Sequence, residues 1–253
     1  MLNFIISLSF IFSLSLCAQN KQDSKQAYKA HTHKDMPYRL MSPQKIEAGK
    51  LYPVIVSLHG AGGKGSDNRR QLKPWNSQLA EAEIRQDYPA YVLAPQSTGL
   101  WGKDHLTLIK EVINNLSSVD KKRIYILGHS MGGHGTFILI QADPTYFAAA
   151  APSAATGLKS TEPFIKPELI KDIPIWAFHG DKDRVCPYDR IIKIMQEMKA
   201  LKGNFKLTSW KDGNHGVSDR FIHGHESGST EISGPRCDPE ASFMKWLFKQ
   251  KKQ

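Results

Sequence analysis

The sequence predicts an α/β fold in which a mostly parallel central sheet carries helices on both faces. Short, near-continuous apolar runs rich in β-branched residues alternate along the chain with segments whose apolar residues recur at helical spacing. This alternation requires right-handed crossover connections, which place the strands parallel to one another. The loops that follow the strands then meet at the carboxyl edge of the sheet, where open α/β sheets bind their ligands.

The chain has 253 residues, a length that suits one globular domain. We expect this domain to span residues 37–253, because residues 19–36 are polar, lack an apolar period and predict a flexible tail. Residues 1–18 contain an apolar run that is interrupted only by serines and is too short to span a bilayer comfortably. This pattern predicts a signal peptide and an exported protein, secreted or periplasmic.

The cysteines add two hypotheses about the exported chain. Cys17 follows the apolar run and precedes a polar linker, as in bacterial lipoprotein signals, although Leu16 stands where such signals have a small residue. Lipid anchoring at Cys17 is therefore an alternative to simple secretion. Cys186 and Cys237 remain in the domain, and an oxidising compartment allows them to pair. We expect a disulfide between them, with two free thiols as the alternative.

Each predicted element follows from its local pattern. Apolar, β-rich runs predict the strands, at residues 37–41, 53–58, 90–94, 124–127, 147–151, 175–178 and 205–210. Helical periodicity predicts the helices, at residues 77–85, 103–116, 188–201 and 241–249, and one after the strand at 124–127 that ends at Asp143-Pro144. Residues 153–174 are expected to form a partial cap, and residues 217–238 a long inserted loop.

The charge of the chain favours acidic partners without identifying one. The formal net charge is +10, from 34 Lys and Arg against 24 Asp and Glu. The basic residues are scattered, and no zinc-finger, RNP or helix-turn-helix pattern accompanies them. We therefore predict a basic surface and no nucleic-acid partner. An exported basic protein would also suit an acidic polysaccharide.

One stretch places a serine at a turn between a strand and a helix. The strand at 124–127 stops at Gly128, and Gly128 to Gly132 follow the pattern G-x-S-x-G. Glycines are needed because a side chain at either end of this turn would collide with the neighbouring elements. The turn exposes the Ser130 hydroxyl at the head of a helix. This context predicts a nucleophile, and an idle serine in a glycine-rich turn is the alternative.

Two further strand-end loops carry the residues that such a serine needs. A serine requires a base to take its proton, and the base requires a carboxylate to hold its tautomer. Asp183 lies in the pattern H-G-x-x-D-x-x-x-P after one strand, and His215 lies in G-x-H-G after the last strand. The order serine, acid, histidine and the three motifs together resemble the α/β-hydrolase superfamily.

The resemblance covers about residues 37–250 and implies an α/β-hydrolase fold with Ser130, Asp183 and His215 as catalytic residues. The chain is most similar to secreted bacterial serine esterases of the feruloyl and acetylxylan esterase and polyhydroxybutyrate-depolymerase-like kinds, and to prolyl-oligopeptidase-like hydrolases. Such enzymes use no metal and no organic cofactor. Asp181 is the competing acid, but the family pattern favours Asp183 and leaves Asp181 to brace the loop.

The resemblance also implies an oxyanion hole. His59-Gly60-Ala61-Gly62 follows the strand at 53–58, and in α/β-hydrolases an H-G-x-G turn there supplies one backbone N–H. Ala61 is then one donor and Met131, next to the nucleophile, is the other. A phosphate-binding loop is the rival interpretation, but neither G-K-[ST] nor G-x-G-x-x-G is present.

The substrate pocket is less well defined by the sequence. Trp101, on the loop after the strand at 90–94, is expected to wall the pocket, although packing alone would also explain it. His129 is expected to contact substrate while pointing away from the base. Residues 217–238, tethered through Cys237, are expected to form another wall.

The resulting expectation is an exported serine esterase that acts on acylated carbohydrate, an acylated polysaccharide or another small ester. A prolyl-oligopeptidase-type serine peptidase, a lysophospholipase and a small-ester carboxylesterase are the enzymatic alternatives. A non-catalytic binding module on a hydrolase scaffold is the alternative from another class. Neither the acyl and alcohol parts of the substrate nor the oligomeric state follow from the sequence.

Overall fold

The computed structural model describes residues 26–156, 165–224 and 227–252. The predicted signal peptide, Cys17 and residues 157–164 of the predicted cap lie outside these residues. Within the described part of the chain, no helix has both the length and the apolar character that a membrane crossing would need.

A single nine-stranded sheet forms the centre of the fold, in the order β1-β2-β4-β3-β5-β6-β7-β8-β9. The strands are β1 (Lys29–His33), β2 (Met36–Met41), β3 (Tyr52–Leu58), β4 (Tyr91–Pro95), β5 (Val119–His129), β6 (Ala149–Ser153), β7 (Ile175–Gly180), β8 (Phe205–Trp210) and β9 (Gly228–Ile232). From β4 to β8 in this order all neighbours are parallel, whereas β1, β2 and β9 pair antiparallel at the two sides. The predicted mostly parallel sheet is confirmed.

Helices cover both faces of the sheet. They are α1 (Pro74–Leu79), α2 (Ala82–Asp87), α3 (Lys103–Asn114), α4 (Met131–Ala142), α5 (Pro167–Ile170), α6 (Tyr188–Ala200) and α7 (Phe243–Lys249). Alternate residues of the buried strand β3 point into two separate cores: Val54 and Val56 pack with α3, α4 and α6, while Ile55 packs with α1 and α7. Burial on both faces explains why β3 is an uninterrupted apolar run.

The parallel strands bring four loops to one edge of the sheet. The loops after β3, β5, β7 and β8 follow the carboxyl ends of strands that pair in parallel register, directly or through β6. They carry the predicted oxyanion turn, Ser130, Asp183 and His215 respectively. The topology therefore gathers all the predicted catalytic residues at one place.

The flexible tail predicted for residues 19–36 is wrong for its second half. Lys29–His33 form β1, which pairs antiparallel with β2 through a turn at Lys34, where φ is 53°. Four of the five side chains of β1 are exposed, so the strand carries no apolar alternation that sequence analysis could detect. Main-chain pairing to β2 holds it in the sheet.

The helix predicted at 77–85 is two short helices. Helix α1 begins at Pro74, earlier than expected, because proline is favoured in the first turn of a helix. The extended backbone of Glu81, with ψ at 142°, separates it from α2. The other predicted helices and strands occur with ends shifted by a few residues.

The predicted disulfide is wrong, since Cys186 and Cys237 are both free and buried. Cys237 Sγ lies 3.4 Å from the carbonyl oxygen of Phe205, the first residue of β8. Cys186 instead follows the carboxyl end of β7, which runs parallel to β8. The two thiols are thus separated by the length of a six-residue strand, about 20 Å, and cannot meet. Part of the predicted wall, residues 228–232, forms the outer strand β9.

The turn between β5 and α4 is packed backbone against backbone. A Cβ atom on Gly132 would lie 2.1 Å from the carbonyl oxygen of Leu58 and 2.7 Å from that of His59. One on Gly128 would lie 2.4 Å from the Gly132 oxygen. The elbow and the end of β3 therefore touch through atoms that cannot rotate away.

We expect Gly132→Ala to lower the free energy of unfolding by about 3 kcal/mol or more, because the added methyl group must push β3 and α4 apart. Gly99→Ala is the matched control, since nothing lies within 4 Å of the position its Cβ would take. Urea unfolding followed by fluorescence measures both variants. Equal unfolding midpoints for the two would contradict this packing argument.

Candidate active site

Ser130 occupies a strained position between β5 and α4. Its φ of 57° and ψ of −121° lie in a region that residues with side chains rarely adopt. The surrounding backbone holds it there: its N–H donates to the Ser153 carbonyl at 2.9 Å, and its carbonyl accepts from the His134 N–H at 2.8 Å. These two hydrogen bonds fix the backbone of Ser130, and its side chain is the group that they leave free.

Asp183 is a buried carboxylate with both oxygens engaged. Oδ1 accepts hydrogen bonds from the backbone N–H groups of Val185 and Cys186, each at 2.8 Å. Oδ2 lies 2.8 Å from His215 Nδ1, and the side chain of Asp183 is fully buried. Among the described contacts, it is Asp183 and not Asp181 that bonds to His215. The loop therefore presents a preoriented anion to the histidine.

His179 is a second histidine close to the same carboxylate oxygen. Its Nε2 donates to the Cys186 carbonyl at 2.8 Å and lies 3.5 Å from Asp183 Oδ2. Burial lowers the pKa of His179 below its usual range, so the ring is neutral. His179 thus closes the loop around Asp183 without adding a competing charge.

His215 is held with a defined tautomer. The bond to the Asp183 carboxylate places its proton on Nδ1 and leaves the lone pair on Nε2. Its ring centroid lies 4.8 Å from that of His129, the residue before Ser130. The histidine loop after β8 therefore lies against the elbow after β5.

The two predicted oxyanion donors each begin a helical turn. Ala61 is the first residue of a one-turn 3-10 helix, Ala61–Gly63, and Met131 is the first residue of α4. N–H groups at helix starts have no acceptor within the helix, and these two have none among the described residues. Gly60 holds the turn close to Ser130, since a Cβ on it would lie 3.4 Å from Ser130 Cβ. Their role in binding an oxyanion remains a prediction.

Trp101 does not wall a pocket, contrary to expectation. It is 3% exposed, and its Nε1 donates to the His59 carbonyl at 3.1 Å. His59 in turn bonds the Gly60 carbonyl through Nδ1 and accepts from the Ser97 N–H at Nε2. Burial lowers the pKa of His59 to about 4, which keeps the ring neutral. Trp101 and His59 therefore support the predicted oxyanion turn from beneath.

His129 contacts His215, the predicted base, although it was expected to point away from it. Besides its ring contact with His215, its Nδ1 lies 3.1 Å from Ser153 Oγ, and its ring centroid lies 6.1 Å from that of Trp75. Burial, followed by the charge of His215, lowers the pKa of His129 to about 3. The ring is neutral, so it does not oppose the positive charge that His215 acquires when it takes a proton. This role, rather than contact with substrate, follows from the geometry.

One group of side chains in the described residues has the composition of a metal site: Asp183, Cys186 and His215, whose ligand atoms lie within 4.8 Å of one another. The donors do not suit a cation. Burial raises the pKa of the Cys186 thiol to about 12, so it is protonated, and a metal ligand must be a thiolate. Both Asp183 oxygens already accept hydrogen bonds. These residues fit an acid–base pair.

A cavity of about 690 Å³ lies away from these residues, against β7, β8 and β9. Its aromatic floor, Trp176, Phe178 and Trp210, is at most 4% exposed and belongs to the core. Rings that are already covered by neighbours offer little surface to a ligand. The region around Ser130 therefore remains the candidate site in preference to this cavity.

His179 precedes a glycine in a strand-end turn, which predicts a hydrogen bond to the backbone, and its bond to the Cys186 carbonyl confirms this. No sequence pattern predicts that His179 also approaches Asp183 or that His129 contacts His215. The direction of a ring depends on partners from other strands, such as Ser153 on β6.

Comparison with known proteins gives a consistent family. Residues 92–229, more than half of the chain, match the model of the Dienelactone hydrolase family. This range contains Ser130, Asp183 and His215. A "Probable feruloyl esterase C" of Aspergillus flavus is 24% identical over 223 residues, which are 85% of this chain and 76% of that protein.

Solved structures agree on the fold. A structure described as a thermostable esterase is 31% identical, with a TM-score of 0.69, and the alignment covers 89% of this chain. This chain spans only 64% of that structure. An acylaminoacyl peptidase of Pyrococcus horikoshii is 18% identical with a TM-score of 0.59, covering 89% of this chain and 42% of that one, and shows the fold alone. The predicted α/β-hydrolase fold is confirmed.

We expect His129→Phe and Ser153→Ala each to lower kcat for ester hydrolysis about five- to tenfold, because each breaks a hydrogen bond that positions the His129 ring against His215. The double variant should lose less than the product of the two, since both changes remove one interaction. Steady-state kinetics with thermal melting as control checks this. A fall in Tm with unchanged kcat would show a purely structural role.

Proposed function

The chain belongs to the dienelactone hydrolase family of α/β-hydrolases, and we propose that it is a serine esterase that cleaves carboxylic esters through an acyl-enzyme. The observation that carries the proposal is the 2.8 Å bond between buried Asp183 and His215, in a loop packed against the strained Ser130 elbow. An oriented base beside a partly exposed serine is what acyl transfer requires. The esterase relatives support the same reaction type.

In the proposed acylation, Ser130 Oγ forms a bond to the ester carbonyl carbon while its proton passes to His215 Nε2. The carbonyl oxygen becomes an oxyanion, which the N–H groups of Ala61 and Met131 bind. Asp183 stabilises the imidazolium. The bond to the alcohol oxygen then breaks, and His215 gives its proton to that oxygen, so the alcohol leaves and the acyl group remains on Ser130.

Deacylation repeats these steps with water. Water attacks the acyl carbon as His215 takes one of its protons, and the same two amides bind the second oxyanion. The bond to Ser130 Oγ breaks and His215 returns the proton to it. The free acid leaves, and the enzyme is restored with no external electron or metal.

For the substrate, we propose acylated carbohydrate or another small ester. Support comes from the feruloyl esterase relative and from the net charge of +10, which suits an acidic polysaccharide partner. A peptidase of the prolyl-oligopeptidase type is the second candidate, favoured by a relative from Bos taurus described as "Prolyl endopeptidase FAP", which is 21% identical over 219 residues. A lysophospholipase or small-ester carboxylesterase is the third. A binding module without activity would have no use for the Asp183–His215 bond.

We expect the protein to hydrolyse p-nitrophenyl acyl esters, feruloyl esters or acetylated xylan, and Ser130→Ala to reduce kcat at least about 10³-fold, because it removes the nucleophile. A panel of these substrates, run with a dipeptidyl anilide for the peptidase alternative, measures both. Ser229→Ala, an exposed serine on β9, is the matched control and should retain wild-type rates. Ester hydrolysis that survives Ser130→Ala would contradict the proposal.

We also propose that the chain is exported, on the strength of the apolar run in residues 1–18. Expressed in full in a bacterial host, the protein should appear outside the cytoplasm and lack about its first 18 residues on N-terminal sequencing. Labelling with palmitate that is lost in Cys17→Ser would favour the lipid anchor over simple secretion. Cytoplasmic protein that retains Met1 would contradict export.

A further inference from the structure

Lys73 places an amine over the predicted oxyanion turn. It caps the start of α1, where the Asn76 side chain accepts a hydrogen bond from its backbone N–H at 2.9 Å. Its side chain reaches back to the turn: a Cβ on Gly62 would lie 3.9 Å from Lys73 Nζ and would meet nothing else within 4 Å. The ammonium group therefore lies beside the residue that follows Ala61.

This ammonium group has no partner among the described residues. Among the described residues, no hydrogen bond or ion pair reaches Lys73 Nζ, whereas the half-buried Lys110 is paired with Asp143. The buried Lys206 donates to two backbone carbonyls and lies over the Trp176 ring. Lys73 thus differs from these two lysines, because its partly buried ammonium group has neither an anion nor an acceptor among the described contacts.

The surroundings make that arrangement costly. Lys73 is only partly exposed, and burial lowers the pKa of its amine from its ordinary value. The nearby His59 ring is neutral, and a histidine could supply only further positive charge. A partly desolvated charge without a partner loses free energy relative to water, and such groups cluster at functional sites, where the ligand supplies the partner.

The amine is close to the reaction centre but is not part of it. A Cβ on Gly60 would lie 3.4 Å from Ser130 Cβ, and Gly62 is two residues further along the same turn. Trp75 lies two residues after Lys73, and its ring centroid is 6.1 Å from that of His129. Lys73 therefore stands at the rim of the site, between the turn and the elbow. Ala61 and Gly62 are exposed, so a ligand has access to this place.

We propose that Lys73 is a specificity residue that binds a carboxylate carried by the ester substrate, next to the scissile carbonyl. The inference rests on the proposed esterase function. An ammonium group offers three N–H donors and a full charge, which match a carboxylate. In the proposed mechanism the oxyanion itself forms at Ser130 and is bound by the amides of Ala61 and Met131. The substrate class is then an ester with a free acid group, such as an acylated acidic sugar or a monoester of a diacid.

Two pairs of esters that differ only in charge test this. Mono-p-nitrophenyl adipate and p-nitrophenyl hexanoate compare a carboxylate with a methyl group on the acyl side. 4-Acetoxybenzoate and 4-acetoxytoluene make the same comparison on the alcohol side. The ratio of kcat/KM for the charged over the neutral ester is measured in each pair, so effects on overall rate cancel.

We expect Lys73→Met to lower this ratio about tenfold in at least one pair, and Lys73→Arg to keep most of it. Lys45→Met is the matched control, because it removes the same charge from an exposed site and should leave the ratio as in wild type. A ratio that is unchanged in Lys73→Met for both pairs overturns the proposal. If the charged and neutral esters lose rate equally, the ratio is also unchanged, and Lys73 would then be assigned to the oxyanion.

A binding measurement separates this proposal from the proposed function. Calorimetry with Ser130→Ala should find that added Lys73→Met weakens binding of mono-p-nitrophenyl adipate about tenfold. Equal affinity, or no binding to either variant, overturns the role of Lys73. Absence of hydrolysis by wild type in every pair, with the affinity difference intact, would overturn the esterase function and leave the carboxylate site standing.

Discussion

The close backbone contact between the elbow and the end of β3 is the constraint on which the site depends. Gly132 lies so near the Leu58 carbonyl that no side chain fits between them. This contact lets α4 start directly beside the turn after β3, and it brings Ser130, Met131 and Ala61 to one place. The strained backbone of Ser130 is tolerated because its N–H and carbonyl are both bonded to fixed neighbours.

The remaining parts of the site come from strands that this contact does not touch. Asp183 follows β7, His215 follows β8, and Ser153, which bonds His129, ends β6. Parallel register puts these strand ends at one edge, so a few short loops assemble the whole arrangement. The supporting histidines, His129 and His179, are kept neutral by burial. Positive charge can then develop on His215 without a cationic neighbour.

The features that could be predicted from the sequence are those that depend on apolar patterns or on fixed residue spacing. The fold could be predicted because the central strands are buried on both faces and are therefore apolar runs in the sequence. Ser130 could be predicted because no other residue can replace the glycines of the elbow. Strand β1 is exposed and polar, and its pairing leaves no pattern. Trp101 and the two cysteines were misassigned because side-chain direction and separation depend on packing between distant elements. Lys73 lies in a polar stretch without a motif, and its position beside the predicted oxyanion turn is apparent only in the folded structure.

The central claim is that Asp183 and His215 activate Ser130. Reaction with a fluorophosphonate, which traps an activated serine, followed by peptide mass mapping, tests it most directly. The account predicts one adduct per chain, on the peptide containing Ser130, and a large loss of labelling rate in His215→Ala. No adduct, or an adduct on another residue with equal rate in both proteins, would contradict it.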